Sequence, residues 1–253
     1  MAHPDDDAYG LAGTVALYAR NPEFRFNLIH ATDGGAGEIA PGVEVPAGGL
    51  GEFRRREDDA AWQAHGRPPD RHNWLGYPDG GVAAVPLAEL AGRVARILRE
   101  ERPGVVCTFG PDGITGHPDH IATGRAADTA FHQVRSEGGA GMERLLHGAM
   151  RASTFLRWNM ARLKHGLEPW DRERVYHLRP VPDETIGVEV DTRAVAGNVL
   201  AGLREHRTQR HVIMADTLTR EQQLRVLGRE SYVLAWPPRQ SGAPLLADIF
   251  AAL

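Results

Sequence analysis

Cysteine is almost missing from this chain. Cys107 stands alone, which rules out an intramolecular disulfide and fits a reducing compartment. It lies in the apolar run Val105-Val106-Cys107-Thr108-Phe109, where a buried, inert thiol is expected. Long apolar runs are missing as well. No stretch reaches the roughly 18 apolar residues a membrane-spanning helix needs, and no secretory hydrophobic region is recognisable. The expectation is a cytoplasmic protein without a membrane span. Long basic runs are absent and the formal net charge is −4, so nucleic acid is not expected as a partner. Repeats, low-complexity segments and linkers are absent too. The 253 residues therefore read as a single domain over 1–253, with ample length for a large core.

What is present is an alternation of helical and strand-like segments. Ala8 to Arg20 has an apolar face of Leu11, Val15, Leu17 and Tyr18, and Asn21-Pro22 stops it. Phe24 to Thr32 is strand-like. Gly34 to Gly51 is rich in glycine and proline and reads as a long loop over a strand end, of a length that is usually functional or mobile. Helices are predicted over Glu52–His65 and Leu87–Glu101, the second with Leu87, Leu90, Val94, Ile97 and Leu98 on one face. Asn73–Tyr77 and Val105–Phe109 are predicted strands, the latter of the buried parallel kind. A helix is expected from Pro118, since proline is tolerated in a first turn. Further on, Leu145–Ala149, Thr185–Val190 and Tyr232–Ala235 read as strands, and Ser153–His165, Thr192–His206 and Glu221–Leu227 as helices. The pattern predicts an α/β fold with a mostly parallel sheet and helices on both faces, a Rossmann-like α/β/α layering. Ligands in such folds gather at the carboxyl ends of strands.

Two tetrads carry the chemistry: His3-Pro4-Asp5-Asp6 and His117-Pro118-Asp119-His120. An imidazole and a carboxylate three residues apart in a turn can reach one ion. Two adjacent aspartates do not easily point the same way, so one can bind metal while its neighbour acts as a base. In the second tetrad two imidazoles can flank a reacting group, and the aspartate between them can fix a tautomer. Histidine and aspartate donors with an open position suit zinc, and iron(II) or manganese by ligand type. The reaction class is metal-assisted hydrolysis, most naturally of an amide. One such tripeptide is explained by proline at a helix start with a capping aspartate. Two, each beside a predicted strand, point to a metal centre.

These tetrads, as Ala2-His3-Pro4-Asp5-Asp6 and Gly116-His117-Pro118-Asp119-His120, resemble those of the LmbE-like, or PIG-L-type, zinc-dependent N-deacetylases. That family includes mycothiol-pathway deacetylases and amidases. Other motifs agree: Thr32-Asp33-Gly34-Gly35-Ala36-Gly37-Glu38-Ile39, Arg54-x-x-Glu57 ahead of Gly66, Trp74 to Gly81, and Leu203-x-x-His206-Arg207-Thr208-Gln209. The resemblance runs from residue 2 to about 236. It implies zinc on His3, Asp6 and His120, with Asp5 as general base. His117 becomes the oxyanion stabiliser or general acid, and Asp119 its orienting partner. Arg54 and Asp79 match positions that hold sugar hydroxyls. Taken alone, Arg54 could instead pair with Glu57 or Asp58 on a helix surface, and Asp79 could be a turn residue. His206 and Gln209 could cap a helix end.

The implied substrate is a small N-acetylated sugar or glycoconjugate of N-acetylglucosamine type. An amidase acting on a larger mycothiol-type conjugate and a non-catalytic metal- or carbohydrate-binding protein stay open, as does a homo-oligomer. Three departures from the family pattern stand out. Asp7 replaces the usual glutamate. Thr115 stands where some mycothiol enzymes have tyrosine. The family has a core strand before the first tetrad, so His3, the third residue of the sequence, is expected to fray unless the natural chain begins earlier or the sheet lacks that strand.

Overall fold

The periodicities are realised closely. In the computed structural model, which describes residues 1–210 and 218–253, the helices are α1 (Ala12–Leu17), α2 (Gly49–His65), α3 (Leu87–Glu101), α4 (Pro118–Ser136), α5 (Ala152–Lys164), α6 (Ala196–Glu205) and α7 (Arg220–Val226). The strands are β1 (Asn27–His30), β2 (Arg71–Trp74), β3 (Val105–Phe109), β4 (Arg144–Gly148), β5 (Met150–Arg151), β6 (Pro180–Val181), β7 (Ile186–Asp191) and β8 (Arg229–Trp236). Among the described residues no helix is long and apolar enough to cross a membrane. The chain forms two units, Met1–Val82 with Asp191–Glu230, and Ala83–Val190 with Ser231–Leu253.

In the first unit β1 and β2 are parallel, with Leu28 opposite His72 and His30 opposite Trp74. Phe26, Leu28 and His30 point inward at the strand's period of two and are buried. α2 packs on α6. The approach is so close that a Cβ on Gly202 would lie 2.0 Å from the His65 ring. Gly66 ends α2 in the left-handed conformation, φ 87°. The start of α1 lacks a side-chain cap of its own. Buried Glu230 supplies one from afar, accepting from Gly13 N (2.8 Å), Thr14 N (2.8 Å) and Thr14 Oγ1 (2.6 Å).

The residues before the first tetrad are held rather than frayed. The Met1 amine donates to Ile29 O (2.6 Å), and Ala31 N and Thr32 N donate to Met1 O (3.0 Å) and Ala2 O (2.9 Å). These backbone hydrogen bonds and the burial of Ala2 place Met1 and Ala2 alongside β1 and so help to anchor His3.

In the second unit the sheet order is β3-β4-β8-β7. β3 runs parallel to β4, with Val105 opposite Arg144 and Phe109 opposite Gly148. β8 is antiparallel to β4, a reversal that hydrophobic pattern alone does not encode. β5 and β6 form a small parallel pair. α3 and α4 pack together, and α4 lies on β3 so closely that a Cβ on Gly124 would meet Phe109 O at 2.6 Å. α3 buries Leu90, Val94, Ile97 and Leu98, while Leu87 in its first turn is exposed. The expectation of a fully buried β3 and an enclosed Cys107 is corrected. Val105, Val106 and Cys107 are only half-buried, because β3 stands at the end of its sheet with β4 as its neighbour there. The architecture is mixed α/β with parallel-rich pairing.

Candidate active site

The first tetrad is a turn that side chains brace from within and from outside. The Asp6 carboxylate accepts through Oδ2 from His3 N (2.8 Å) and Ala2 N (3.2 Å), and lies 3.4 Å from His3 Nδ1. On the other side, His3 Nε2 is 3.1 Å from Asp79 Oδ1. Asp79 is itself fixed by Ala36 N at 2.9 Å. Against the cost of burial, His3 and these contacts hold its carboxyl down at about 2. The loop of residues 34–48, shorter than expected because α2 begins at Gly49, is therefore tied to the site through Ala36.

Asp5 sits at φ 108°, a conformation that costs a non-glycine residue roughly 1–3 kcal/mol. Arg54 holds it there. Its guanidinium donates to Pro4 O (2.6 Å) and Asp5 Oδ2 (3.3 Å) through Nη2 and to Gly34 O (2.9 Å) through Nη1. Arg54 is thus no surface ion pair but a buried residue, 4% exposed. Burial pushes the Asp5 carboxyl up to about 7, Asp6 adding to the rise and Arg54 opposing it. A carboxylate so placed exchanges a proton near neutral pH.

Asp7 lies behind the turn, fully buried. Trp62 Nε1 donates to its Oδ2 (2.5 Å), and His30 Nε2 lies 3.3 Å from its Oδ1. Although burial works the other way, the pairing with His30 holds the Asp7 carboxyl below the usual range. Where the family pattern has a longer glutamate, this chain meets the shorter side chain with an indole and an imidazole. Glu57 accepts from Thr208 N (2.9 Å) and Thr208 Oγ1 (2.5 Å). Gln209 Nε2 reaches Glu38 O (2.9 Å), which pins the loop again.

The second tetrad is built by a helix end. His117 is the N-cap of α4, with Pro118 in the first turn. Its Nδ1 accepts from Asp119 N at 3.0 Å, so the neutral ring carries its proton on Nε2, as a donor. His120 is set the opposite way. Its Nδ1 lies 3.0 Å from Gly113 O, a carbonyl that can only accept, so Nδ1 holds the proton and the lone pair is on Nε2, the form a metal ligand needs. Phe109 stacks on His120 at 4.3 Å and fixes the ring plane. Asp119 is fully buried, and its Oδ1 accepts from Ala83 N (3.1 Å). The hydrogen bond that orients His117 comes from the Asp119 backbone.

Four contributors escape sequence reading. His30 and Trp62 could have been suspected from polar groups at core-facing positions. Thr208 sits inside a recognised motif without an evident role. Tyr176 lies in the irregular stretch 138–184 and packs edge-on against His117 at 5.2 Å; no pattern announces it. Of the expected site residues, His3, Asp5, Asp6, Arg54 and Asp79 are brought together in the first unit. His117, Asp119 and His120 are brought together in the second.

Residues 1–131 match the family profile described as PIG-L: GlcNAc-PI de-N-acetylase. A 1D-myo-inositol 2-acetamido-2-deoxy-alpha-D-glucopyranoside deacetylase of Thermomonospora curvata is 32% identical over 98% of this chain and 91% of its own length. The chain belongs to the PIG-L family. As a PIG-L family member it is an enzyme acting on an N-acetyl amide. Two solved structures share the fold. The conserved protein TT1542 of Thermus thermophilus matches with TM-score 0.60 and 25% identity, over 94% of each chain. The N,N'-diacetylchitobiose deacetylase of Pyrococcus horikoshii matches with TM-score 0.58 and 21% identity, over 92% of this chain and 80% of its own.

Proposed function

We propose that the chain is a zinc-dependent hydrolase that removes the acetyl group from an N-acetylglucosamine-type amino sugar, and that residues 1–253 act as one Rossmann-like, three-layer domain. In this reading His3, Asp6 and His120 hold the zinc, Asp5 is the general base, and His117 stabilises the oxyanion or protonates the leaving amine. Asp119 orients His117, and Arg54 and Asp79 hold sugar hydroxyls. The observation that carries the chemistry is Asp5: a strained, half-buried carboxylate with its pKa raised to about 7 beside the ligand Asp6. The substrate class follows the Thermomonospora curvata relative, named for an acetamido-glucopyranoside of inositol.

The donor set fits the metal. Asp5, Asp6 and Asp7 are three consecutive acids, and Arg54 is the cation that the hydrogen bonds bring to them, which leaves negative charge for a divalent ion to neutralise. His120 offers a lone pair at Nε2, and Asp6 is fixed through Oδ2 by two N–H groups. Zinc, when bound, supplies Lewis acidity that polarises the amide carbonyl and acidifies a water. Asp5 takes the proton from the attacking water. His117, with its N–H on Nε2, hydrogen-bonds to the developing oxyanion, and the proton that Asp5 took from the water passes on to the departing nitrogen. In this reading Arg54 has a second task, since its guanidinium also holds Asp5 in register. We place the enzyme in the cytoplasm, with a small-molecule substrate.

The test is amine release from N-acetylglucosaminyl-inositol, with metal analysis in parallel. Zinc-loaded protein should release glucosamine-type amine, and His120→Ala should lose both that activity and the zinc it supports. Stoichiometric zinc and full turnover in His120→Ala would sink the ligand set. Failure to release amine from any N-acetylated sugar would sink the substrate class.

A further inference from the structure

Behind the first tetrad lies a second group of ligand-type side chains. His30 of β1, His72 of β2 and Asp58 of α2 each place one donor atom within 4.8 Å of the others. His30 and His72 stand diagonally across the parallel pair, two residues out of register, with His30 Nδ1 and His72 Nε2 2.8 Å apart. Asp58 Oδ2 lies 3.8 Å from His72 Nε2. Asp58 is fully buried, yet neither carboxylate oxygen has a hydrogen-bond partner among the described residues. A buried carboxyl left so is destabilising unless a cation or a donor meets it.

We propose that His30, Asp58 and His72 form a second divalent-metal site, separate from the deacetylase centre and of zinc-binding chemistry. The His30 tautomer is preset for it. His30 turns Nε2 toward the Asp7 carboxylate at 3.3 Å, the carboxylate–histidine–metal arrangement that leaves Nδ1 as the ligand atom. His72 brings Nε2 to the same point, 2.8 Å from His30 Nδ1, with its Nδ1 on the side of Asp59 at 3.9 Å. Two lone pairs and a carboxylate then converge from two strands and a helix. Without metal, neutral His72 donates its Nε2–H to His30 Nδ1, a proton that binding of the ion would send to His72 Nδ1, and burial and the nearby acids Asp7 and Asp59 push the Asp58 carboxyl well above its usual range. Burial also keeps both rings neutral, His72 down at about 3. Tetrahedral zinc needs ligand atoms roughly 3.3 Å apart, so the two imidazole nitrogens, 2.8 Å apart, must part by about half an ångström and Asp58 Oδ2, 3.8 Å from His72 Nε2, must close by about as much. The half-buried His72 and the solvent-exposed Asp59 (side chains 13% and 72% exposed) open a route for the ion.

The test counts metal in the full chain after zinc loading and desalting. Wild type should carry two equivalents and His72→Gln one. Asp58→Asn, which keeps shape while removing charge, should bind the second equivalent at least tenfold more weakly. Zinc should raise the melting temperature of His120→Ala but not that of His72→Gln combined with His120→Ala. Equal zinc content in wild type and His72→Gln, both with native circular dichroism, overturns the site. One equivalent in wild type that is lost in His120→Ala also overturns it and leaves the catalytic centre standing. One equivalent that survives His120→Ala and is lost in His72→Gln supports this site and removes the catalytic ligand set.

Discussion

The two His-Pro-Asp tetrads are held by different forces. The second is local. A helix N-terminus, a proline in the first turn and the carbonyl of Gly113 set both imidazoles within eight residues of chain. The first draws on side chains dozens of residues away: Arg54 on Asp5, Asp79 on His3, Trp62 and His30 on Asp7. It also keeps Asp5 in a left-handed backbone. One spelling thus serves two physical solutions. The helix end presets proton positions at little cost, whereas the braced turn concentrates buried carboxylates and tunes them by burial. Donors belong on the first kind of support, and a base with a raised pKa belongs on the second.

Removing the working atom from each tetrad is the strongest way to break this comparison. Asp5→Asn should lower kcat by about 10²–10⁴-fold, the range for a general base, with zinc content unchanged. His117→Ala should lower it by about 10²–10³-fold, as loss of an oxyanion donor does. The remaining activity should differ in its pH profile, measured on the acetylated sugar: the acidic limb due to Asp5 should vanish in Asp5→Asn and persist in His117→Ala. Equal profiles in the two variants would show that the tetrads do not divide the proton work.

The same contrast explains what was legible in the sequence. α3 and β3 match their predicted bounds, and the other main elements fall within a few residues, because apolar period and stop signals are local. The second tetrad's geometry is local as well, and Pro118 announces it. The first tetrad's braces are tertiary. Nothing near Asp7 names Trp62 or His30 as its partners, and Arg54 reads equally well as a surface residue until its burial is known. The antiparallel direction of β8 depends on which strand it meets, and a period of two is the same in either direction. The stretch 138–184 has little periodicity, so Tyr176 had no signal.

A pH titration of stability sharpens the comparison on the first unit. Burial lowers His206 to about 3, with Arg54 adding to the shift. A histidine depressed in the fold titrates near 6.5 when unfolded, so between those values the unfolded chain binds more protons. Stability from this group is complete above pH 6.5 and is lost as pH falls toward 3. The melting temperature should therefore drop across that window, and His206→Gln should show a drop shallower by up to about one proton per molecule. An unchanged slope would mean that His206 is not held neutral by its surroundings.

The smallest effect tests whether the second tetrad is as self-contained as its local bonds suggest. Tyr176 reaches it from outside, its ring 5.2 Å from that of His117 and its backbone N–H on Thr115 O at 3.0 Å. An aromatic pair of this kind is worth roughly 0.5–1.5 kcal/mol, so Tyr176→Ala should lower kcat/KM by about two- to tenfold, while Tyr176→Phe keeps the ring and the rate. If Phe falls as far as Ala, the hydroxyl rather than the ring edge is what matters. The tyrosine missing at Thr115 would then be replaced from a segment far along the chain, and the helix-end tetrad, like the braced one, would depend on a distant side chain.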